Sequence, residues 1–277
     1  MPQITLIKAS GEREPFREEK LISSLERAGA SPKLARDIAK AIRPDLRDGM
    51  STRELYRLAF RRLRKEGGGL AARYNLKQAI FALGPSGFPF ERFVSRIFSE
   101  RGYSVEVGKT LRGRCVTHEV DVVATKDRKH LMVECKFHNQ QGFKTNVKTS
   151  LYVKARFDDI RDADAPGHEP RIHEGWLVTN TRLTSDAVAY ASCSGIRAVG
   201  WSHPKSGSLQ DMIEESGLHP LTCLTSLSVG QKRQALEQGS VLCRDIERDP
   251  DLLSKIGLSV AESGRVLTEI KDVCSGA

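Results

Sequence analysis

The sequence predicts a multi-domain α/β protein, and three observations carry that prediction. The chain has 277 residues, 39% hydrophobic and 29% charged, enough to bury more than one core. Its middle third alternates strand-like apolar runs with helical spacing, the pattern of a sheet flanked by helices. A Gly84-Pro85-Ser86-Gly87 break separates that part from a mostly helical first third, and the end of the chain is helical and acidic. The expected domains are 1–86, 87–206 and 207–277.

In the first third, residues 4–8 form a short β-like run and 11–15 a turn. Leu21, Ile22 and Leu25 give 16–28 helical spacing. Ser31 is a cap and Pro32 a first-turn proline for a second helix ending near Ile42. Ser51 caps a third helix over 52–65, with Leu55, Leu58, Ala59 and Leu63 as its stripe. Gly67-Gly68-Gly69 breaks it, and 70–83 makes a fourth. The middle opens with a helix over 89–100, followed by strands at 103–107, 119–124 and 130–137. A helix over 142–160, a polar loop over 162–170, a strand at 175–179, a helix over 185–192 and a strand at 196–201 complete it. From about residue 208 the pattern is helical, with breaks at Pro250 and Gly257.

Charge narrows the function classes. The net charge is +9, with residues 1–87 at +8, 88–205 at +5 and 206–277 at −4. A basic field of this kind suits a phosphate-rich partner, although it also serves as an ordinary wet surface. No apolar run approaches the ~18 residues that cross a bilayer, and the start lacks the apolar core of a secretory signal. Membrane and secreted readings are set aside and a cytoplasmic protein is expected. The six cysteines form no CxxC pair, so they read as reduced thiols rather than a compact zinc site. Gly102 to Thr110 imitates a phosphate-cradling Walker loop, but it has five residues between its glycines where that loop has four, and its middle is a strand.

Chemistry concentrates in the middle third. Met132-Val133-Glu134-Cys135-Lys136-Phe137 alternates, so Glu134 and Lys136 share one face of a strand while Val133, Cys135 and Phe137 share the other. A neighbouring strand carries Asp121, and the opening helix carries Glu91. Carboxylates meeting at such a point suit a hard divalent cation, and a nearby lysine suits a water or a growing negative charge. An isolated ExK is common by chance; two charges inside an apolar strand are costly to bury unless they bind something.

These residues resemble the PD-(D/E)xK nuclease fold in its Mrr-type restriction endonuclease branch. The similarity runs through Gly87-Phe88-Pro89-Phe90-Glu91-Arg92-Phe93, Gly102-Tyr103-Ser104-Val105, Val120-Asp121-Val122-Val123 and Val133-Glu134-Cys135-Lys136. It continues through 175–180 and 185–191 to Gly195-Ile196, covering roughly 86–205. The resemblance implies a mixed α/β sheet domain, with Asp121 and Glu134 as ligands of Mg²⁺ or Mn²⁺, Lys136 as the catalytic lysine and Glu91 as an auxiliary acid. Two positions depart from the branch: Val120, not proline, precedes Asp121, and Glu119 stands where a small residue is usual. Lys109, Arg112, Arg114, Lys144 and Lys148, with Lys154 and Arg156, are a candidate rim for DNA phosphates. His118 and His138 flank the motifs, as assisting bases or as solvated or DNA-facing groups.

Residues 1–84 resemble an ATP-cone, the regulatory nucleotide-binding domain of ribonucleotide reductases and their repressors. Ile7-Lys8, Gly11, Glu14, Phe16, Lys20-Leu21-Ile22, Ala28 and Ala79-Ile80 carry the resemblance, with Ala9 replacing a basic residue often found after the lysine. It implies a β-hairpin with four helices, and ATP or dATP held by Lys8, Glu14, Arg17, Lys20, Thr52 and Tyr56. Cations at a helix start, beside its free N–H groups, favour that anion.

The tail is expected to be a packing or dimerisation element of a homo-oligomer, although 252–258 loosely resembles a helix-hairpin-helix DNA module. Together these readings describe a metal-dependent DNA endonuclease regulated by an adenine nucleotide. The alternative is a nucleotide-responsive DNA-binding regulator whose nuclease fold does not cut.

Overall fold

The computed structural model describes residues 4–163 and 171–274. Part of the expected polar loop, 164–170, lies outside the described residues. The chain divides into two units: residues 1–82 with 219–277, and residues 83–218.

The first unit begins with a hairpin of β1 (Thr5–Ile7) and β2 (Arg13–Pro15). Helix α1 spans Glu18–Arg27 and α2 spans Pro32–Ile42. The Ser31 side chain accepts from the Leu34 N–H at 3.2 Å, the expected cap. Strand β3 (Met50–Ser51) pairs in parallel with β1. Helix α3 (Thr52–Glu66) starts there, held by a capping box in which the Ser51 hydroxyl accepts the Glu54 N–H and the Glu54 carboxylate accepts the Ser51 N–H. The expected fourth helix is two, α4 (Gly68–Tyr74) and α5 (Leu76–Phe81). Leu21, Leu25, Ile38, Ile42, Ala59 and Leu63 form the core between these elements.

The second unit opens with α6 (Phe88–Glu100), whose Phe90, Phe93 and Phe98 are fully or almost fully buried. Strands β4 (Ser104–Arg112), β5 (Thr117–Lys126) and β6 (Lys129–Lys136) make an antiparallel meander. Short strand β7 (Lys144–Thr145) precedes α7 (Val147–Arg161), and β8 (Glu174–Thr179) returns parallel to β6. Strand β9 (Arg182–Leu183) pairs with β7. Helix α8 (Ser185–Ser194), β10 (Arg197–Val199) and α9 (Leu209–Ser216) follow. The main sheet has the order β10-β8-β6-β5-β4, parallel at one end and antiparallel at the other. One face packs Val153 and Phe157 of α7 and Ala187 of α8 on Val120, Met132 and Leu177. On the other face, Phe98 of α6 meets Trp176 edge-on at 5.3 Å.

The tail adds α10 (Val229–Glu237), α11 (Cys243–Arg248), α12 (Asp251–Lys255) and α13 (Val260–Cys274). Read from the sequence as a region of its own from 207, it divides at His219, and its larger part shares a core with the first unit. Ala72 and Ala79 of α4 and α5 are buried with Leu224, Leu253, Val266 and Ile270. A side chain at Gly69 would bring its Cβ to 2.7 Å from Asp272 Cβ, so glycine is what lets α13 approach α4 this closely. Arg73 donates to the Asp272 carbonyl at 2.7 Å and to the Ala28 carbonyl at 2.9 Å. Leu252, Leu253, Ile256 and Leu258, the segment resembling a DNA module, lie in this core rather than on a surface. Among the described residues, no helix is long and apolar enough to cross a membrane.

Candidate active site

The β5–β6 ladder runs inward from Lys126 and Lys129 and ends at the pair Val122 and Val133. Beyond it the strands separate, and the Asp121 carboxylate enters the gap to accept the Cys135 N–H at 2.7 Å. On the other side, the β4–β5 register brings Gly108 opposite Asp121, and Gly108 has φ +67°. That left-handed bend is one a side chain rarely tolerates, and it shapes the sheet at Asp121. Glu134 follows one residue past the end of the ladder, paired with Leu177 of β8 on the face covered by α7. Asp121 and Glu134 thus both lie where main-chain pairing gives out, near enough for the Asp121 charge to act on Glu134.

Glu134 is 7% exposed. Its Oε2 accepts from Arg156 Nη1 at 2.7 Å, while Oε1 is buried without a hydrogen-bond partner. Burial and the nearby Asp121 charge push its carboxyl up to about 8, with Arg156 pulling the other way. Glu91, half-buried on α6, is pushed up to about 7 by burial and by Asp121 and Glu119. Asp121 is also raised, by burial first, against the Cys135 hydrogen bond and Arg156. Three carboxyls thus share a region with one guanidinium, and each is short of positive charge.

Lys136 is exposed at the end of β6, in register with Thr179. With Glu134, Cys135, Lys148, Thr149, Tyr152, Val153 and Leu177 it lines a cleft of about 270 Å³. Lys148, expected on the phosphate rim, is thus at the cleft itself. Lys109 is engaged by Glu106 at 2.6 Å, and Lys154 by Asp158. Arg112 and Arg114 are exposed near the β4–β5 turn, and Lys144 is exposed on β7. Arg156, read as a rim base, instead reaches inward to Glu134 and the Glu119 carbonyl. The clue lay in Tyr152: four residues apart on one helix, the two side chains meet, with the guanidinium 5.2 Å from the ring.

The two flanking histidines are tied into the structure. His118 Nε2 is 2.7 Å from Asp159 Oδ2. His138 Nε2 is 3.1 Å from the Thr145 hydroxyl, and its ring stacks on Phe143. Burial and the Lys136 charge lower the His138 pKa.

The donor set suits Mg²⁺ or Mn²⁺, which are held by one or two carboxylates and waters. The bare, buried Glu134 Oε1 and the upward shifts of Asp121 and Glu134 are what a cation would relieve. Among the described residues there is no cluster of three or more His, Cys, Asp or Glu arranged for a metal.

In the first unit, Glu14 Oε2 lies 3.1 Å from both Lys8 Nζ and Lys20 Nζ. Burial works to raise the Glu14 carboxyl, but the two lysines outweigh it and the net shift is downward. The parallel pairing of Ile7 with Ser51 brings Thr52, the next residue, to the Lys8 end of β1. Arg17 is the exposed residue before α1, whose N-terminus has no side-chain cap but carries Glu18 and Glu19 in its first turn. Tyr56 is engaged otherwise: its hydroxyl donates to Asn75 at 2.6 Å and its ring stacks on Tyr74 at 5.1 Å.

Comparison with known proteins follows the same order along the chain. The ATP cone domain model matches residues 4–77, the restriction endonuclease model 84–200, and the AF1548-like, C-terminal model 219–274. An Archaeoglobus fulgidus protein described as uncharacterized is 33% identical over 181 residues, which cover 65% of this chain and 99% of that one. The crystal structure of AF1548, described as a protein of unknown function, superposes with a TM-score of 0.56 at 32% identity, covering 69% of this chain and 100% of the other. The chain belongs to the AF1548-like family, and in it an ATP cone precedes an Mrr-type restriction endonuclease domain of mixed α/β fold and a helical C-terminal domain.

Proposed function

We propose that this protein is a Mg²⁺- or Mn²⁺-dependent DNA endonuclease whose activity responds to ATP or dATP bound by its N-terminal module. One observation carries the reading: Asp121 and Glu134 converge where the β5–β6 ladder ends, beside Lys136, with Glu134 Oε1 buried and unpartnered. Asp121 and Glu134 would hold the ion. When bound, it would acidify a water and neutralise charge on the phosphodiester. Lys136 orients that water and stabilises the phosphorane-like charge from the cleft wall. Glu91, with its carboxyl near neutrality, exchanges a proton at the edge of the site. Lys148, Lys144, Arg112, Arg114 and Lys109 grip flanking phosphates, consistent with a cytoplasmic DNA partner and a homo-oligomer that spans both strands.

Lys8, Glu14, Arg17, Lys20, Thr52 and Tyr56 are assigned to the nucleotide, with Lys8, Glu14, Lys20 and Thr52 the better supported by their proximity. Without a Walker loop, the nucleotide acts by binding rather than by driving translocation. A second reading, a DNA-binding regulator that does not cut, is favoured by the Arg156 pair, which already engages one oxygen of Glu134.

Plasmid nicking with Mg²⁺ or Mn²⁺ decides between the two. Cleavage by the parent that is lost in Asp121→Ala and Lys136→Ala supports the enzyme. Equal cleavage by all three indicates a contaminant, and DNA binding with no cleavage supports the regulator. Calorimetry with ATP and dATP on the full chain tests the sensor, and no heat or thermal shift at millimolar ligand removes it.

A further inference from the structure

One cavity of the first unit has none of the groups assigned to the nucleotide in its lining. It has a volume of about 1080 Å³ and is lined by Arg47, Arg57, Arg61, Arg62 and Lys65, over a floor that includes Leu58 and Phe60. On α3, Ala59 and Leu63 face the core. Residues 57, 61 and 65 follow one another at one-turn spacing along the outward side. Thr52 and Tyr56 fall with the inward set, so this basic row is a different surface of the same helix.

We propose that this groove is a second polyanion site, which takes the phosphodiester backbone of DNA. Five cations face two carboxylates, and both carboxylates are committed. Glu54 closes the capping box with the Ser51 N–H and hydroxyl at 2.9 and 2.8 Å, and Asp45 is 3.9 Å from Arg62. Arg57, Arg61 and Lys65 are exposed and make no ion pair among the described residues. Such guanidiniums in a concave wall concentrate positive potential.

The shape favours a polymer over a free nucleotide. From Arg57 to Lys65 the helix rises about 12 Å, enough to run beside three or four phosphates of one strand at about 3.4 Å of axis each. Arg57, Arg61 and Lys65 form a line along α3, with Arg47 and Arg62 also in the lining. Leu58 and Phe60 offer apolar contact to sugars beneath them. The inference rests on DNA as the partner and adds a contact outside the nuclease domain.

The test is fluorescence anisotropy of a short labelled duplex with the full-length protein, in EDTA and across a salt series. EDTA prevents metal-dependent cleavage, so the outcome is independent of the nicking assay and of whether the nuclease reading stands. Arg57→Glu/Arg61→Glu is compared with Arg53→Glu/Arg64→Glu, which makes the same charge change at exposed α3 positions that do not line the groove. The groove variant should lose about tenfold or more in affinity at low salt and flatten the salt slope by about two, as expected for two lost phosphate contacts. The control should change less than about twofold. Equal losses in both variants would reduce the groove to diffuse surface charge and overturn the site. No loss in either overturns it too. Retained DNA affinity with lost ATP heat in the groove variant would reassign the cavity to free nucleotide and overturn the DNA site. Unchanged thermal melts check that both variants fold.

Discussion

Arg156 and Glu134 form an ion pair of 2.7 Å in which the side chains are 13% and 9% exposed, and each keeps one buried polar atom with no partner. The pair is therefore under-satisfied on both sides. Its net contribution to stability is small, but the loss of one member strands the other. Arg156→Gln is expected to destabilise the second unit by about 3 kcal/mol, read as a shift in urea midpoint. Glu134→Gln/Arg156→Gln should recover much of that loss, because neither buried charge remains. Additive losses in the cycle would show that the two side chains act separately.

Lys136 is exposed and at a strand end, so its removal should leave the fold intact while acting on chemistry. Lys136→Ala is expected to lower nicking by roughly 10²- to 10³-fold with an unchanged melting temperature. Glu91→Gln, at the edge of the site, should have a smaller effect. A Lys136→Ala enzyme that nicks normally would exclude the lysine from the reaction.

Asp159 anchors the β4–β5 turn. It accepts from the Cys115 N–H at 2.8 Å and sits 2.7 Å from His118 Nε2. The His118 hydrogen bond, with the Cys115 and Val116 donors and against the opposing effect of burial, holds its carboxyl well below the usual range. A depressed folded-state pKa contributes stability above the unfolded value of about 4, and that stability is lost as pH falls toward the folded value. Asp159→Asn should therefore be less stable than the parent at neutral pH, and the difference should shrink below about pH 4. A difference that stays constant through acid titration would contradict this assignment.

Lys8 and Lys20 share Glu14, and a triphosphate would compete with that carboxylate for both cations. Lys8→Ala should abolish the calorimetric signal for ATP on the full chain. Glu14→Gln should instead change affinity while leaving binding detectable. Unchanged ATP heat in Lys8→Ala would move the nucleotide elsewhere.

One of the first unit's two apolar clusters is built from both ends of the chain, so residues 1–82 alone should be less stable than the same residues in the intact chain. Truncation would expose the face of Ala72 and Ala79 that Val266 and Ile270 cover. In the intact chain, Ile270→Ala, at 0% exposure, is expected to cost about 2–5 kcal/mol. Circular dichroism melts of the fragment and the variant check both, and a fragment that melts as high as the intact chain would refute the shared cluster.

Local chemistry was legible in the sequence. Ser31 and Ser51 cap helices because a short side-chain oxygen satisfies free N–H groups within one turn, and Pro32 starts α2 where it was expected. The alternation around Glu134 and Lys136 gave their shared strand face. Strand β4 runs to Arg112, beyond the expected 107, because alternation continues through charged residues on a half-buried strand. The split at Asn75 was not legible: the Tyr56 hydroxyl that it accepts comes from 19 residues away. Arg156 was misread for a related reason. A basic residue in a basic segment looks solvated until the sheet brings a carboxylate to it. The tail's attachment to α4 and α5 depends on packing between segments some 190 residues apart, as in Arg73 and Asp272, which no local pattern records.

Because the tail packs on Ala72 and Ala79 while the sheet domain lies between them in sequence, this second apolar cluster closes last during synthesis. The sheet domain is inserted between the two segments of the first unit, and it has emerged from the ribosome before α10 to α13 can pack on α4 and α5. A nascent chain would therefore carry a completed sheet domain while α4 and α5 still expose the faces that Val266 and Ile270 later cover.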